Sequence, residues 1–105
     1  MNSQFKRGVI ELCVLKLLTK ERLSTYGVLD RLSKPLDVNE NTVYPVIRRL
    51  LAEGYLDVEK KENPVGAPRK YFFASASGVE YVSQLQKEWN LFTTAVDAII
   101  GGQNE

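Results

Sequence analysis

Hydrophobic residues recur at helical spacing in four segments of the chain, which predicts four helices. The predicted helices cover residues 4–19, 24–33, 40–53 and 77–100. Ser24 is a good N-cap for the second helix, and Pro35 is expected to bar its continuation. Gly54 suits the left-handed position just after the third helix.

Two short segments between the third and fourth helices have the composition of β-strands. Residues 55–61 and 69–74 are rich in aromatic and β-branched side chains, and residues 62–68 between them are dense in turn formers. They predict a β-hairpin behind two short helices joined by a brief turn. The predicted fold is therefore mainly α with a small β-hairpin, a winged helix-turn-helix followed by a long C-terminal dimerisation helix.

The third helix contains a proline whose effect depends on where the helix begins. Pro45 removes one backbone hydrogen bond and disfavours helical geometry at the residue before it. If Asn41 is the N-cap, Pro45 falls in the first turn and a single bond is missing. If Asn39 is the N-cap, we expect a distortion at Pro45. The sequence leaves both alternatives open.

The last helix carries an apolar stripe with the 3,4 spacing of a coiled-coil seam. The stripe consists of Val82, Leu85, Trp89, Phe92, Val96 and Ile99. It suits either its own domain or a partner helix, and we favour the partner because three helices and a hairpin already close a core. Phe5 is expected at the same interface. Residues 1–74 then form the winged domain, with helix 4–19 also at the interface, and residues 75–105 form a dimerisation helix that is not an independent domain.

Composition excludes most catalytic chemistry. The 105 residues suffice for one globular domain and include no histidine and a single cysteine, Cys13. An intrachain disulfide, a Cys/His zinc cluster and a Ser-His-Asp triad are therefore excluded. The acids are scattered and no glycine-rich phosphate loop is present, so we expect no enzyme, cofactor or metal. Cys13 lies among apolar residues and is expected to be buried and inert.

Charge is divided unevenly along the chain. Residues 1–74 carry 13 Lys and Arg against 9 Asp and Glu, whereas residues 75–105 carry 1 against 4. A polyanion is therefore expected to bind the first part. The polar residues 1–7 do not form a signal peptide and no apolar run is long enough to span a membrane, so a cytoplasmic protein without a membrane partner is expected.

Several short motifs along the chain form a specific combination. They are Arg7-Gly8, Tyr26-Gly27, Asn41 to Leu50 with Thr42-Val43-Tyr44-Pro45 and Arg48-Arg49-Leu50, Glu53-Gly54-Tyr55-Leu56, Pro68-Arg69-Lys70-Tyr71-Phe72, Ser77-Gly78 and Glu88-Trp89. With these motifs the chain resembles, over nearly its whole length, the PadR-type transcriptional regulators, named after the phenolic acid decarboxylase regulator. The short tail resembles the compact subclass with a single C-terminal helix. The resemblance implies a homodimer joined through the last helix with help from the first, repression through a palindromic operator, and often release by a small aromatic or drug-like effector.

The polar face of the third helix supplies the first candidate DNA contacts. The two arginines suit phosphates or guanine edges in the major groove, and the side chains near the helix N-terminus suit phosphates or bases. The tyrosine and proline suit the sugar-phosphate backbone or a thymine methyl group. The alternative is an ordinary solvated face. The candidates are Asn41, Thr42, Tyr44, Pro45, Arg48 and Arg49.

The second helix and the hairpin supply further candidates. Thr25 and Tyr26 lie at a helix N-terminus that suits a phosphate oxygen, although capping by Ser24 with Tyr26 in the core is the alternative. Basic residues near the hairpin tip are expected to contact minor-groove phosphates, partly offset by neighbouring acids, and ordinary surface lysines are the alternative. These basic residues are Lys60, Lys61, Arg69 and Lys70, and the acids are Glu59 and Glu62.

The surroundings of the only tryptophan are a candidate site for a small aromatic effector. Trp89 lies at the centre of the proposed seam, with Phe5, Phe92 and Val96 nearby. The alternative is that Trp89 is an ordinary anchor of the dimer core.

The function predicted from these features is a sequence-specific DNA-binding regulator, a repressor that binds a palindromic operator on double-stranded DNA as a homodimer. The alternative is a winged-helix protein-interaction module without specific DNA binding. Such a module should lack the salt-dependent affinity for duplex DNA that contact with several phosphates produces.

Overall fold

Four helices and one β-hairpin make up the part of the protein that the structure describes, as the sequence predicted. A computed structural model describes residues 3–101, with side chains from residue 8 onward. The elements in chain order are α1 (Ser3–Lys20), α2 (Thr25–Leu36), α3 (Glu40–Ala52), β1 (Leu56–Lys61), β2 (Arg69–Ala74) and α4 (Ala76–Ile100).

Short polar side chains cap the starts of three helices. The Ser24 hydroxyl accepts the backbone N–H of Gly27 at 3.0 Å, which confirms the predicted cap of α2. Asn39 caps α3 by accepting the N–H of Asn41 at 2.9 Å, which decides between the two alternatives for this helix. Ser75 caps α4 in the same way as Ser24 caps α2.

Two prolines lie within helices of the described chain. The expectation that Pro35 bars continuation of α2 is wrong, because the helix includes Pro35 and ends at Leu36. The proline removes the hydrogen bond that a backbone N–H at this position would donate to the carbonyl of Arg31, an exposed residue. Pro45 lies in the second turn of α3, and the helix continues through it to Ala52.

The hairpin follows α3 almost immediately and is extended at its base by a third segment. Gly54 has a φ of 84°, as expected for the left-handed position after a helix, and turns the chain into β1. The strands pair antiparallel, with Leu56 opposite Ala74. Leu23, between α1 and α2, forms a bridge to Phe72 through backbone hydrogen bonds of 3.1 and 2.8 Å. The wing is thereby tied to the helices.

One hydrophobic core joins all the elements. Its residues come from the inward faces of α1, α2 and α3, the base of the hairpin and the start of α4. The buried side chains are Ile10, Val14, Leu15, Leu18, Val28, Leu32, Val43, Val46, Ile47, Leu50, Leu56, Phe72 and Val82.

The last helix extends well beyond this core. α4 has 25 residues, which corresponds to about 37 Å, yet its buried residues are Gly78 and Val82, both near its start. The molecule is 63 Å long and has a radius of gyration of 16.0 Å, against about 13 Å for a compact chain of this length. Within the described residues, α4 therefore has no buried side chain beyond Val82.

Candidate nucleic-acid interface

The outward face of α3 presents a free cation beside polar groups. Asn41, Pro45 and Arg48 are exposed, whereas Thr42 and Tyr44 are half-buried, with Tyr44 packed against the core. Arg48 makes no ion pair within the described part of the chain, so its guanidinium is available to an external anion.

Arg49, the neighbour of Arg48, has an acidic partner inside the molecule. Its Nη2 lies 3.5 Å from Oε1 of Glu11 in α1. The Arg49 side chain is 42% exposed and that of Glu11 is 17% exposed. The two adjacent arginines thus occupy different environments, a difference that the sequence does not reveal.

The start of α2 presents an aromatic hydroxyl to solvent. Tyr26 is 69% exposed, so the alternative that it packs in the core is not found. Thr25 beside it is half-buried, and Ser24 uses its hydroxyl as the helix cap. The N-terminal turn and the Tyr26 ring together form a polar edge of the helix-turn-helix.

Near its tip, the wing places cations directly opposite one another. Lys60 pairs across the hairpin with Lys70, and Lys61 pairs with Arg69. All four side chains are exposed, and the Lys61 ammonium lies 5.3 Å from the centre of the Tyr71 ring. Like charges directly opposite one another destabilise an antiparallel pair. An anion bound between them would relieve this repulsion.

Arg22 holds the base of the wing and was not identified from the sequence. Its Nη1 donates to the Glu59 carboxylate at 2.9 Å, and its guanidinium carbon lies 3.9 Å from the centre of the Phe73 ring. Glu59, which was expected to offset the charge of the wing, is thus paired with Arg22. The contact joins residues 37 positions apart, and a single sequence gives no sign of such a contact.

The predicted seam on α4 divides into a buried start and an exposed remainder. Val82 is 2% exposed and belongs to the core of its own domain. The prediction that it contacts a partner subunit is therefore wrong. Leu85, Trp89 and Val96 are half-buried, whereas Phe92 and Ile99 are 62% and 80% exposed. The apolar surface left open on the seam therefore begins at Leu85.

Two neighbouring clefts lie between α1 and α4 on either side of Trp89. The larger has a volume of about 450 Å³ and is lined by Leu12, Cys13, Lys16, Leu17, Lys20, Leu32, Gln86, Trp89 and Asn90. The smaller, of about 270 Å³, is lined by Gly8, Val9, Leu12, Leu85, Glu88, Trp89 and Phe92. Of the residues predicted to form an effector site, Trp89 lines both clefts, Phe92 lines the smaller one and Val96 lines neither. The side chain of Phe5 lies outside the described residues.

Cys13 is half-buried in the wall of the larger cleft rather than fully buried as expected. Burial raises the pKa of its thiol, which keeps it protonated at neutral pH. The cleft walls contributed by α1 were not identified from the sequence, although Leu12, Cys13 and Leu17 are half-buried apolar residues at the edge of the core.

The described residues lack two other kinds of feature. From residue 3 to residue 101, no helix combines the length and apolarity needed to cross a membrane. In the same part of the chain, no group of His, Cys, Asp and Glu side chains is arranged to hold a metal ion.

Comparison with known proteins places the chain in a family. The model of the PadR-like family of transcriptional regulators matches residues 14–84. A PadR-like transcriptional regulator of Bacillus cereus is 27% identical and superposes with a TM-score of 0.84, over 96% of this chain and 100% of the other. A PadR-like transcription factor of Bacteroides fragilis is 32% identical, with a TM-score of 0.78 over 92% and 95% of the two chains.

A further relative is a protein of Lysinibacillus sphaericus described only as uncharacterised, 26% identical over 106 residues and 97% of each chain. Among the solved structures, relatives from several bacteria share both the helices and the hairpin with this chain, and the family consists of transcriptional regulators rather than enzymes. The chain therefore belongs to the PadR-like family of transcriptional regulators and has the winged-helix fold with which these proteins bind DNA.

Proposed function

We propose that the protein is a homodimeric repressor that binds a palindromic operator, with α3 of each protomer in the major groove and each wing on the adjacent phosphates. The observation that carries this proposal is the pairing of Lys60 with Lys70 and of Lys61 with Arg69 across the exposed hairpin. An isolated hairpin is destabilised by this arrangement, whereas one that lies along a phosphate backbone is stabilised by it.

The recognition helix supplies direct contacts to the bases. Arg48 is exposed and lacks an ion-pair partner within the described chain, which suits a bidentate contact with a guanine or with a phosphate. Asn41 and Thr42 lie in the first turn of α3, where side chains meet base edges in helix-turn-helix proteins. Pro45 and Tyr44 lie one turn further along the helix and meet the sugar-phosphate backbone or a thymine methyl group.

The second helix supplies a phosphate contact that fixes the register of the protein on the duplex. Tyr26 and Thr25 lie at the N-terminus of α2, where backbone N–H groups and the positive end of the helix dipole favour an anion. Such contacts carry no sequence information but orient α3 in the groove.

The dimer forms through α4 with help from α1. Phe92 and Ile99 leave large apolar surfaces in solvent, and they continue a stripe that starts at the half-buried Leu85. Exposed apolar surface of this extent on a helix is typical of an interface. Residues 1–74 act as the DNA-binding unit and residues 75–105 as the dimerisation helix. A two-fold dimer then reads a palindrome whose half-sites lie about 34–36 Å apart.

An effector site lies in the clefts on either side of Trp89. The clefts are open in a single chain, and the second protomer would close them as its α4 packs against α1. A flat aromatic molecule stacked on Trp89, with Phe92 nearby, would alter the packing of α4 and so the spacing of the two recognition helices. Because the changed spacing no longer matches the two half-sites, such a molecule would release the operator.

The experiment that tests this function is binding of the purified protein to a labelled duplex from the region upstream of its own gene. The duplex is titrated at several salt concentrations and against unlabelled random DNA. We expect binding that resists the random competitor and weakens steeply with salt, because several phosphates are contacted. If unlabelled random duplex displaces the labelled duplex as readily as unlabelled specific duplex does, the proposal is rejected and a protein-interaction module is favoured.

A further inference from the structure

Glu11 connects the recognition helix to the two helices of the proposed dimer interface. From α1, its Oε1 lies 3.5 Å from Nη2 of Arg49 in α3, and its Oε2 accepts a hydrogen bond of 3.3 Å from the Tyr81 hydroxyl in α4. The Glu11 side chain is only 17% exposed. Each carboxylate oxygen is thus engaged with a different helix.

A second connection fixes the end of α3 to the start of α4. The carbonyl of Gly54, just after α3, accepts hydrogen bonds from the Ser75 hydroxyl at 2.6 Å and the Ser77 hydroxyl at 3.0 Å. Gly78 approaches the next carbonyl so closely that a Cβ atom there would lie 2.0 Å from the oxygen of Tyr55. The junction between the recognition helix and α4 is therefore tightly packed.

The aromatic pair beside this junction links the two connections. The ring of Tyr55 stacks on that of Tyr81, with centroids 4.2 Å apart and planes 10° apart. Burial, followed by the charge of Glu11 and the hydrogen bond to it, raises the pKa of Tyr81. The Tyr81 hydroxyl therefore keeps its proton at neutral pH and remains a donor to Glu11.

A carboxylate accepts hydrogen bonds but cannot donate them, and burial makes an unpaired one costly. If Arg49 left Glu11 to contact DNA, this mostly buried carboxylate would keep Tyr81 as its single partner in the described chain. Arg48, one residue earlier, has no such partner among the described residues and is free to meet an external anion. The two arginines are therefore suited to different tasks.

We propose that Arg49 is a positioning residue that sets the orientation of α3 through Glu11 and Tyr81, and is not itself a DNA contact. This inference rests on the proposed function, since it concerns how the recognition helix is presented to the operator. The bridge ends on α1 and α4, the helices that form the proposed dimer interface. The angle between the two recognition helices therefore depends on Glu11 as well as on the interface itself.

Glu11→Gln tests the proposal because the two roles of Arg49 predict opposite signs. If Arg49 contacts DNA, removal of its acidic competitor tightens operator binding or leaves it unchanged. If Arg49 positions α3, the same substitution weakens operator binding by roughly threefold to tenfold, the range expected for a residue that couples two elements. Binding to random duplex and the salt dependence should stay as in the wild type, since the protein still neutralises the same phosphates.

Four further variants, one of them a double substitution, complete the experiment. Tyr81→Phe should weaken operator binding in the same direction, and it decides the matter if Glu11→Gln fails to fold by circular dichroism. Arg49→Gln should weaken operator binding without changing the salt slope, which is the slope of log affinity against log salt concentration. Adding Glu11→Gln to it should weaken binding no further. Glu80→Gln, which removes an exposed acid next to Tyr81, is the matched control and should match the wild type.

The outcomes separate this inference from the function on which it rests. A wild-type chain with no preference for the operator overturns both. Three results together overturn this inference alone. They are specific operator binding by the wild type, equal or tighter binding by Glu11→Gln, and a salt slope of Arg49→Gln that falls by about one.

Discussion

Arg48 and Arg49 of α3 differ in their surroundings because adjacent side chains point in different directions from a helix axis. Successive positions on a helix are about 100° apart, so Arg48 remains outside while Arg49 reaches Glu11 on α1. The sequence identifies the pair as a cationic feature. It does not show which member has an internal partner, because Glu11 lies 38 positions earlier in the chain.

Arg48→Ala is expected to weaken operator binding by about 1–3 kcal/mol if the guanidinium makes a bidentate contact with guanine. The fold should be retained, because Arg48 is exposed and makes no ion pair within the described chain. Quantitative titration of a labelled operator at several salt concentrations measures the change in affinity.

Lys87→Ala is the control for Arg48→Ala, because it removes one exposed positive charge from α4, a helix that is not among the elements proposed to contact DNA. It should leave the affinity close to that of the wild type. Equal weakening in the two variants would show that net charge, rather than a contact made by α3, controls binding.

Gly78→Ala is expected to destabilise the fold by about 1–3 kcal/mol, because the new Cβ would lie 2.0 Å from the carbonyl oxygen of Tyr55 and the backbone would have to shift. Thermal unfolding followed by circular dichroism measures the change. Gly66→Ala in the hairpin loop is the control, since its nearest contact is 3.6 Å away, and it should lie within about 0.5 kcal/mol of the wild type. Equal stability of the two variants would refute the tight junction.

Elements follow from the sequence more readily than the contacts between them. Periodicity and capping residues predicted all four helices and both strands, since these signals are local. Pro35 was misjudged because α2 includes this proline in its last turn and ends one residue later, at Leu36. The bridge from Leu23 to Phe72 and the contact of Arg22 with Glu59 depend on how distant elements pack, and local patterns do not encode this.

Replacing Lys60 and Lys70 together by threonine should change DNA affinity and stability in opposite directions. The two cations face each other in the hairpin, so their removal relieves repulsion and suits a strand, and the melting temperature should stay the same or rise. DNA binding should weaken, and the salt slope should fall by about 0.9 for each phosphate that the variant no longer neutralises.

The same titration and a thermal melt measure both effects in this wing variant. A slope equal to that of the wild type would show that these lysines do not contact phosphates. A lower melting temperature would show that they contribute to the fold in another way.

On the scale of the whole molecule, the last helix carries apolar surface that the described chain leaves in solvent. The core is closed by the first turns of α4, and the large apolar residues Phe92 and Ile99 further along the helix are exposed. The sequence predicted this stripe from its spacing but assigned Val82 to the partner, since spacing alone does not show where a helix leaves its own core. The burial of Val82 shows that this point lies between Val82 and Leu85.

Phe92→Glu is expected to dissociate the dimer without unfolding the protomer. Phe92 is 62% exposed in the single chain, so a carboxylate there is tolerated by the monomer, whereas a dimer seam would have to bury an unpaired charge. Light scattering should give the mass of one chain, and circular dichroism should be unchanged. Because two linked recognition helices bind a palindrome far more tightly than one, operator affinity should fall by about a hundredfold or more.

The control for Phe92→Glu is Thr94→Glu, which adds the same charge on the exposed polar side of α4, about 160° around the helix axis from Phe92 at 100° per residue. It should leave both the mass and the affinity as in the wild type. If Phe92→Glu keeps the mass of two chains, the seam on α4 is not the interface, and the exposed apolar residues of this helix must serve another partner. If both variants dissociate, the added negative charge itself, rather than its place on the seam, separates the protomers.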